Sequence, residues 1–96
     1  MTTLVLVDAR LKPGCLQDAL SFLAERLPET REYPGCRGID AYVADDGANL
    51  VLVETWDSEA RFDAYLQWRQ ESGSFATFSD YVKGEPQIRR YVSAEV

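Results

Sequence analysis

Two segments of this 96-residue chain are apolar on both sides of an extended backbone, and they constrain the fold more than any other feature. Residues 3–9 read TLVLVDA, and residues 50–53 read LVLV. Side chains alternate between the two faces of a strand, so a run that is apolar at both parities is typical of a strand buried within a sheet. We therefore expect strands 3–9 and 49–56 to lie at the centre of one sheet.

Two further segments have the pattern of edge strands. Residues 37–43 (RGIDAYV) and residues 87–92 (QIRRYV) alternate between apolar and polar side chains and carry charges. Charged side chains protect the unpaired edge of a sheet from pairing with other chains. The pattern thus predicts a four-stranded sheet with the first and third strands at the centre and the second and fourth at the edges.

The segments between these strands have apolar residues at helical spacing. Residues 16–27 repeat apolar side chains at intervals of three and four, and Pro28 predicts a kink or a restart of that helix. Asp57 or Ser58 is expected to cap a second helix that ends near Glu71. A short third helical segment is indicated by its apolar residues Phe75, Phe78 and Val82.

The element order β-α-β-β-α-β predicts an α+β, ferredoxin-like fold with a four-stranded antiparallel sheet, formed by a single domain over residues 1–96. Right-handed crossovers place both main helices on one face of the sheet. The other face, which carries Val51 and Val53, would be bare in a monomer and larger than soluble monomers usually expose. A second copy of the same sheet is the simplest cover, so we expect a homodimer through the sheet faces.

Composition excludes several classes of function. The net charge of −6 disfavours nucleic acid and anionic membranes as partners, and no apolar run approaches the roughly 18 residues of a membrane span. The chain has no histidine, which removes Ser-His-Asp triads, most zinc sites and His-ligated haem. Two cysteines, Cys15 and Cys36, are too few for a disulfide framework, so a cytoplasmic location is expected. We expect no metal and no cofactor.

A carboxylate near the end of an apolar strand is the main candidate for chemistry. Alternation places Leu52, Glu54 and Trp56 on one face of the third strand, and the bulk of these side chains predicts that this face meets the helices. The inward stripe of the second helix contains Phe62, Tyr65, Leu66 and Arg69. Apolar and aromatic walls with a few convergent polar groups are typical of a small-molecule pocket.

Structural explanations compete with this interpretation. Glu54 and Arg69 could form a buried ion pair beneath the helix, and Trp56 could be a core anchor without a chemical role. Cys15 lies near a helix start, but without a partner base it is better explained as a small core residue. Trp68 could cover either a dimer rim or a pocket mouth.

Several of these residues together resemble the antibiotic biosynthesis monooxygenase (ABM) domain, especially its small, quinol-monooxygenase-like members. The resemblance rests on Lys12-Pro13-Gly14, on residues 33–38 (YPGCRG) and on residues 50–66 (LVLVETWDSEARFDAYL), and it covers nearly the whole chain. It implies a dimeric α/β barrel, and activities that include cofactor-free oxygenation of phenols or hydroquinones. The match at the end of the third strand implies that Trp56 is the pocket tryptophan. The histidine that haem-degrading relatives use has no counterpart here.

The resulting hypothesis is a cofactor-independent monooxygenase that oxidises an electron-rich aromatic, a hydroquinone or a polyketide-type phenol, with molecular oxygen. Glu54 would act as base, Tyr65 would orient a ring oxygen and Arg69 would hold the anion. The ring would pack against Trp56, with the remaining walls formed by Leu52, Phe62 and Leu66. The alternative is a non-catalytic dimeric protein that binds a small hydrophobic metabolite.

Overall fold

The structure is a computed structural model that describes residues 2–96. It contains seven elements in chain order: β1 (Thr3–Arg10), α1 (Leu16–Glu32), β2 (Cys36–Val43), β3 (Asn49–Trp56), α2 (Glu59–Glu71), α3 (Ser74–Ser79) and β4 (Gln87–Val92). The four strands form one antiparallel sheet in the order β2-β3-β1-β4. The ferredoxin-like fold is confirmed, as is the central position of β1 and β3. The sheet of one chain is open.

The alternation predicted for β3 is observed. Leu50, Leu52, Glu54 and Trp56 are buried against the helices, while the residues between them are only half-buried. The same face of β1 carries Val5 and the other buried residues of that strand. The helix-facing side of the sheet therefore holds the core, and the candidate site residues of β3 lie within it.

Helix α1 departs from expectation at Pro28. A kink or a restart was predicted there. The helix does not restart, and α1 continues without interruption from Leu16 to Glu32. A proline removes one backbone donor and leaves the carbonyl of residue Ala24 without its intrahelical partner. Both Pro28 and Ala24 are exposed, so water can satisfy that carbonyl and the helix is retained.

The turn between α1 and β2 requires glycine. Gly35 has φ +95°, and a Cβ there would lie 2.6 Å from Cβ of Arg61. Its carbonyl accepts a hydrogen bond from the backbone N–H of Asp57 at 2.8 Å, which ties this turn to the end of β3. Ser58 caps α2 as predicted, because its Oγ accepts a hydrogen bond from the N–H of Arg61 at 3.2 Å. The end of β3 and the start of α2 are thus fixed from two sides.

The second face of the sheet carries no helix within the described residues. Leu4 and Tyr42 are exposed there, and Val51 and Val53 are half-buried. Val53 lies opposite Leu6 of β1 on one side and Asp40 of β2 on the other. We refer to this surface as the open sheet face. No helix in the described part of the chain has both the length and the apolarity to cross a membrane.

Candidate functional site

The carboxyl group of Glu54 lies inside the protein core rather than in solvent. Glu54 is 3% exposed, and its Oε1 accepts a hydrogen bond of 3.0 Å from Nε1 of Trp56, its neighbour on the same face of β3. Burial raises the pKa of Glu54 from its ordinary value of 4.5 to about 7, although the bond from Trp56 opposes the rise. At neutral pH the group is therefore divided between its acid and its carboxylate form.

An aromatic cluster lies beside this carboxyl group. Trp56 is fully buried, and its ring centroid lies 4.9 Å from that of Tyr65 and 5.7 Å from that of Phe62. Tyr33 contacts Tyr65 at 5.3 Å and Trp68 at 5.2 Å between centroids. These rings, with Val5 and the half-buried Leu66, form one apolar cluster between β3 and α2. Burial beside this cluster desolvates Glu54.

A second polar group lies next to this cluster and is organised around Arg69, which is buried. Its Nε donates to the phenol oxygen of Tyr65, and its Nη2 donates to Oγ1 of Thr30 and to the carbonyl of Arg26, each at 2.9 Å. The hydroxyl groups of Thr30 and Tyr65 are 2.8 Å apart. Burial raises the pKa of Tyr65, while the hydrogen bonds from Thr30 and Arg69 oppose that rise. The guanidinium, the phenol and the threonine form one closed network.

The structure excludes one of the alternatives for Glu54 and Arg69, the buried ion pair. They form no ion pair with each other: the hydrogen-bond partner of Glu54 is Trp56, and the carboxylate paired with Arg69 is the exposed Glu29, at 3.6 Å. Thr30 was not among the predicted site residues. It lies three residues after Leu27 on the buried stripe of α1, and that position is the signal that points to it.

A cavity of about 60 Å³ adjoins the Arg69 network. Three predicted site residues line it: Leu52, Tyr65 and Arg69. The other lining residues come from α1, β2 and α3: Phe22, Leu23, Arg26, Leu27, Thr30, Ile39, Ser74, Phe75 and Phe78. Glu54, Trp56, Phe62 and Leu66 are not part of the lining. A cavity of about 150 Å³ accommodates benzene, so this one is too small for an aromatic ring as it stands.

Two further candidates, Trp68 and Cys36, do not line this cavity. Trp68 is half-buried and packs against Tyr33, while Arg69 stacks above its ring with 4.6 Å between Cζ and the centroid. Cys36 is half-buried between the two parts of the core, and burial raises its pKa. Among residues 2–96, no group of three or more Cys, Asp and Glu side chains is arranged to hold a metal ion.

Known proteins are similar to this chain over most of its length. Residues 3–81 match the family model described as "Antibiotic biosynthesis monooxygenase". A protein of Mycobacterium tuberculosis, named "Putative monooxygenase Rv0793", is 33% identical over 85 residues, which cover 80% of this chain and 84% of that protein.

Several solved structures have the same fold as this chain. The structure of Rv0793 superimposes with a TM-score of 0.87 and 20% identity, covering 100% of this chain and 98% of the other. A conserved protein from Methanosarcina mazei Go1 gives a TM-score of 0.86 at 21% identity, over 95% and 91% of the two chains. Because the family model covers more than three quarters of the sequence, this chain belongs to the antibiotic biosynthesis monooxygenase family.

Proposed function

We propose that this protein is a cofactor-independent monooxygenase for an electron-rich aromatic, a hydroquinone or a polyketide-type phenol. One observation carries the proposal: the carboxyl group of Glu54 is buried and bonded to an indole of the aromatic cluster, and this burial raises its pKa to about 7. A general base is most effective when its pKa lies near the working pH. A carboxyl with no such task would be more stable in water or paired with a cation.

The chemistry follows from the spin state of oxygen. Triplet oxygen reacts slowly with closed-shell molecules unless one electron is transferred first, and a phenolate donates that electron more readily than a phenol. With a hydroquinone, one oxygen atom would enter a ring C–H bond as a hydroxyl group. The other would leave as water with the two hydrogens of the original hydroxyl groups, and the product would be a hydroxyquinone. The substrate supplies every electron in this balance, so no external reductant is required.

The roles of the residues follow from their contacts. Glu54 would take the phenolic proton, and Arg69 would stabilise the anion by turning a donor from Tyr65 to the substrate oxygen. Tyr65 would orient the ring, which would lie against Leu52 and the aromatic cluster of Trp56, Phe62 and Leu66.

Admission of a ring requires the cavity of about 60 Å³ to widen toward Glu54. We propose that the wall that moves is α3, a six-residue helix that presents Phe75 and Phe78 to the cavity. The left-handed Gly73, at φ +79°, directly precedes it.

The second candidate function is a non-catalytic protein that binds a small hydrophobic metabolite. The Arg69 network favours it, because Nε and Nη2 of Arg69 already donate to Tyr65, Thr30 and the carbonyl of Arg26 rather than to a substrate. Both functions use the same cavity, and they differ in whether oxygen is consumed.

Oxygen uptake with purified protein and a panel of hydroquinones and polyphenols separates the two. We expect uptake that persists in the presence of a chelator and that falls by at least about 100-fold in Glu54→Gln, the usual contribution of a general base. Glu85→Gln, at an exposed loop carboxylate, is the matched control and should retain the wild-type rate. Saturable binding of a panel member without oxygen uptake would support the binding protein instead.

We also propose a homodimer in which the open sheet faces of two chains meet. Val53→Lys should disrupt it while keeping the fold, because Asp40 lies directly opposite on β2 and can pair with the new cation. The dimer dissociation constant is expected to rise at least about tenfold by sedimentation velocity, since a charge must be desolvated in the interface. Val43→Lys, on the helix-facing side of β2, is the control and should sediment as the wild type. A wild-type monomer at micromolar concentration would contradict the proposal.

A further inference from the structure

Two positively charged side chains lie directly opposite each other near the end of the sheet. Leu11 and Val82 form an isolated antiparallel bridge, and the N–H of Lys83 donates to the carbonyl of Arg10 at 2.7 Å. This register places Arg10 across from Lys83. Leu11 and Val82 are buried, so alternation directs the side chains of Arg10, Lys12 and Lys83 outward, where all three are exposed.

This cationic cluster has no counter-ion within the described residues. The ion pairs of the structure use Arg26, Arg37, Arg69 and Arg90 instead. Both lysines of a chain with net charge −6 are nevertheless placed here. Like charges directly opposite each other on paired strands are destabilising. An external anion would remove that cost.

Two carboxylates close to the cluster in the fold accept hydrogen bonds from other groups. Asp46 faces the same space, but its Oδ1 accepts a hydrogen bond of 2.9 Å from the N–H of Ala48 and holds the β2–β3 turn. Asp8, two residues before Arg10 on β1, accepts a hydrogen bond of 3.2 Å from the side chain of Asn49. Neither forms an ion pair with the cluster.

The three cations border a cleft of about 310 Å³, within the size range of small-ligand sites. Its other lining residues are Leu11, Pro13, Gly14, Leu16, Asp46, Gly47 and Ala48. Backbone hydrogen bonds fix its walls, from Leu11 N–H to the carbonyl of Ala48 at 2.7 Å and from Lys12 N–H to that of Tyr81 at 2.9 Å. The cleft thus combines a cationic rim with a small apolar surface. It shares no lining residue with the cavity beside Arg69.

We propose that this cleft binds a small organic dianion, specifically a phosphate monoester with a compact apolar body. Three cations against one carboxylate favour a doubly charged group over a monoanion. Pro13 and Leu16 supply contact for the apolar body. The start of α1 adds a weaker contribution, because Cys15 provides no side-chain cap for this 17-residue helix.

Phenyl phosphate is a suitable probe, since it is a dianion above its second pKa of about 6. Titration of ¹⁵N-labelled protein at low ionic strength should give saturable shifts at Gly14, Leu16, Gly47 and Lys83, and phenol should give none. Lys12→Gln/Lys83→Gln should raise the dissociation constant at least about tenfold, given two lost contacts to a charged ligand. Arg37→Gln, an exposed arginine on β2, should leave it unchanged.

Unfolding and sedimentation measurements guard against indirect effects. The double variant should unfold at the same temperature as the wild type or higher, because it loses like-charge repulsion. If no saturable shifts appear up to about 10 mM phenyl phosphate, the dissociation constant is too high for a specific small-ligand site. That result would overturn the proposal. So would a double variant that binds the probe normally but dimerises less, because the cations would then serve the carboxylates of a second chain.

Discussion

Replacing Arg69 with methionine is expected to lower the free energy of unfolding by about 2–4 kcal/mol. Arg69 makes three hydrogen bonds from a buried guanidinium, and bonds to a charged donor contribute about 1.5–3 kcal/mol each without being additive. Methionine keeps the apolar stem but leaves the carbonyl of Arg26 without this donor. Methionine also removes the cost of burying a charge, which offsets part of the loss. Urea unfolding of the two proteins measures the difference.

Arg26→Met is the matched control. Arg26 also packs over an aromatic ring, that of Phe22, with 4.8 Å between Cζ and the centroid, but its side chain is 36% exposed. Its only carboxylate partner among the described residues is the exposed Glu25. Surface pairs of this kind contribute at most about 1 kcal/mol, and we expect a loss in that range. Equal losses in the two variants would show that the Arg69 network does not stabilise the fold and would leave Arg69 free to act on a substrate.

The fold could be predicted from the sequence because, in a chain of this length, a strand that is apolar on both faces has one structural explanation, a central position in the sheet. Strands apolar at both parities must be central, and this predicted the positions of β1 and β3 correctly. Alternation along β3 likewise predicted which residues face the helices. Both arguments depend on local periodicity, which the backbone geometry fixes without reference to distant residues.

The contacts within the site were less predictable, for the same reason. Periodicity shows which face a side chain occupies but not which neighbour it reaches. Glu54 and Arg69 share the interior, yet Glu54 bonds to Trp56, two residues along its own strand, and Arg69 bonds to α1. The small cavity also depends on packing between α1 and α3, which no spacing encodes. Arg10 and Lys83 lie opposite each other because Leu11 pairs with Val82, which is distant in sequence. Local spacing does not predict such a pairing.

The stability of the protein should depend on pH through Glu54. Its pKa is about 7 in the folded protein and has its ordinary value of 4.5 when unfolded, so the folded state binds the proton more tightly. The stabilisation is complete below pH 4.5 and is lost as pH rises through 7. Between pH 5 and pH 8 the loss amounts to about 2–3 kcal/mol, at 1.36 kcal/mol per pKa unit. Urea unfolding at both pH values measures it.

Glu54→Gln should abolish that loss. The amide carbonyl still accepts the bond from Trp56, and no charge has to be buried at high pH. The variant should therefore match the wild type within about 1 kcal/mol at pH 5 and exceed its stability at pH 8, whereas Glu85→Gln should follow the wild type throughout. Equal destabilisation by Gln at both pH values would mean that the carboxyl serves the structure. Greater stability at pH 8 would instead mark Glu54 as a group retained at a cost to folding, as expected of a base needed for function.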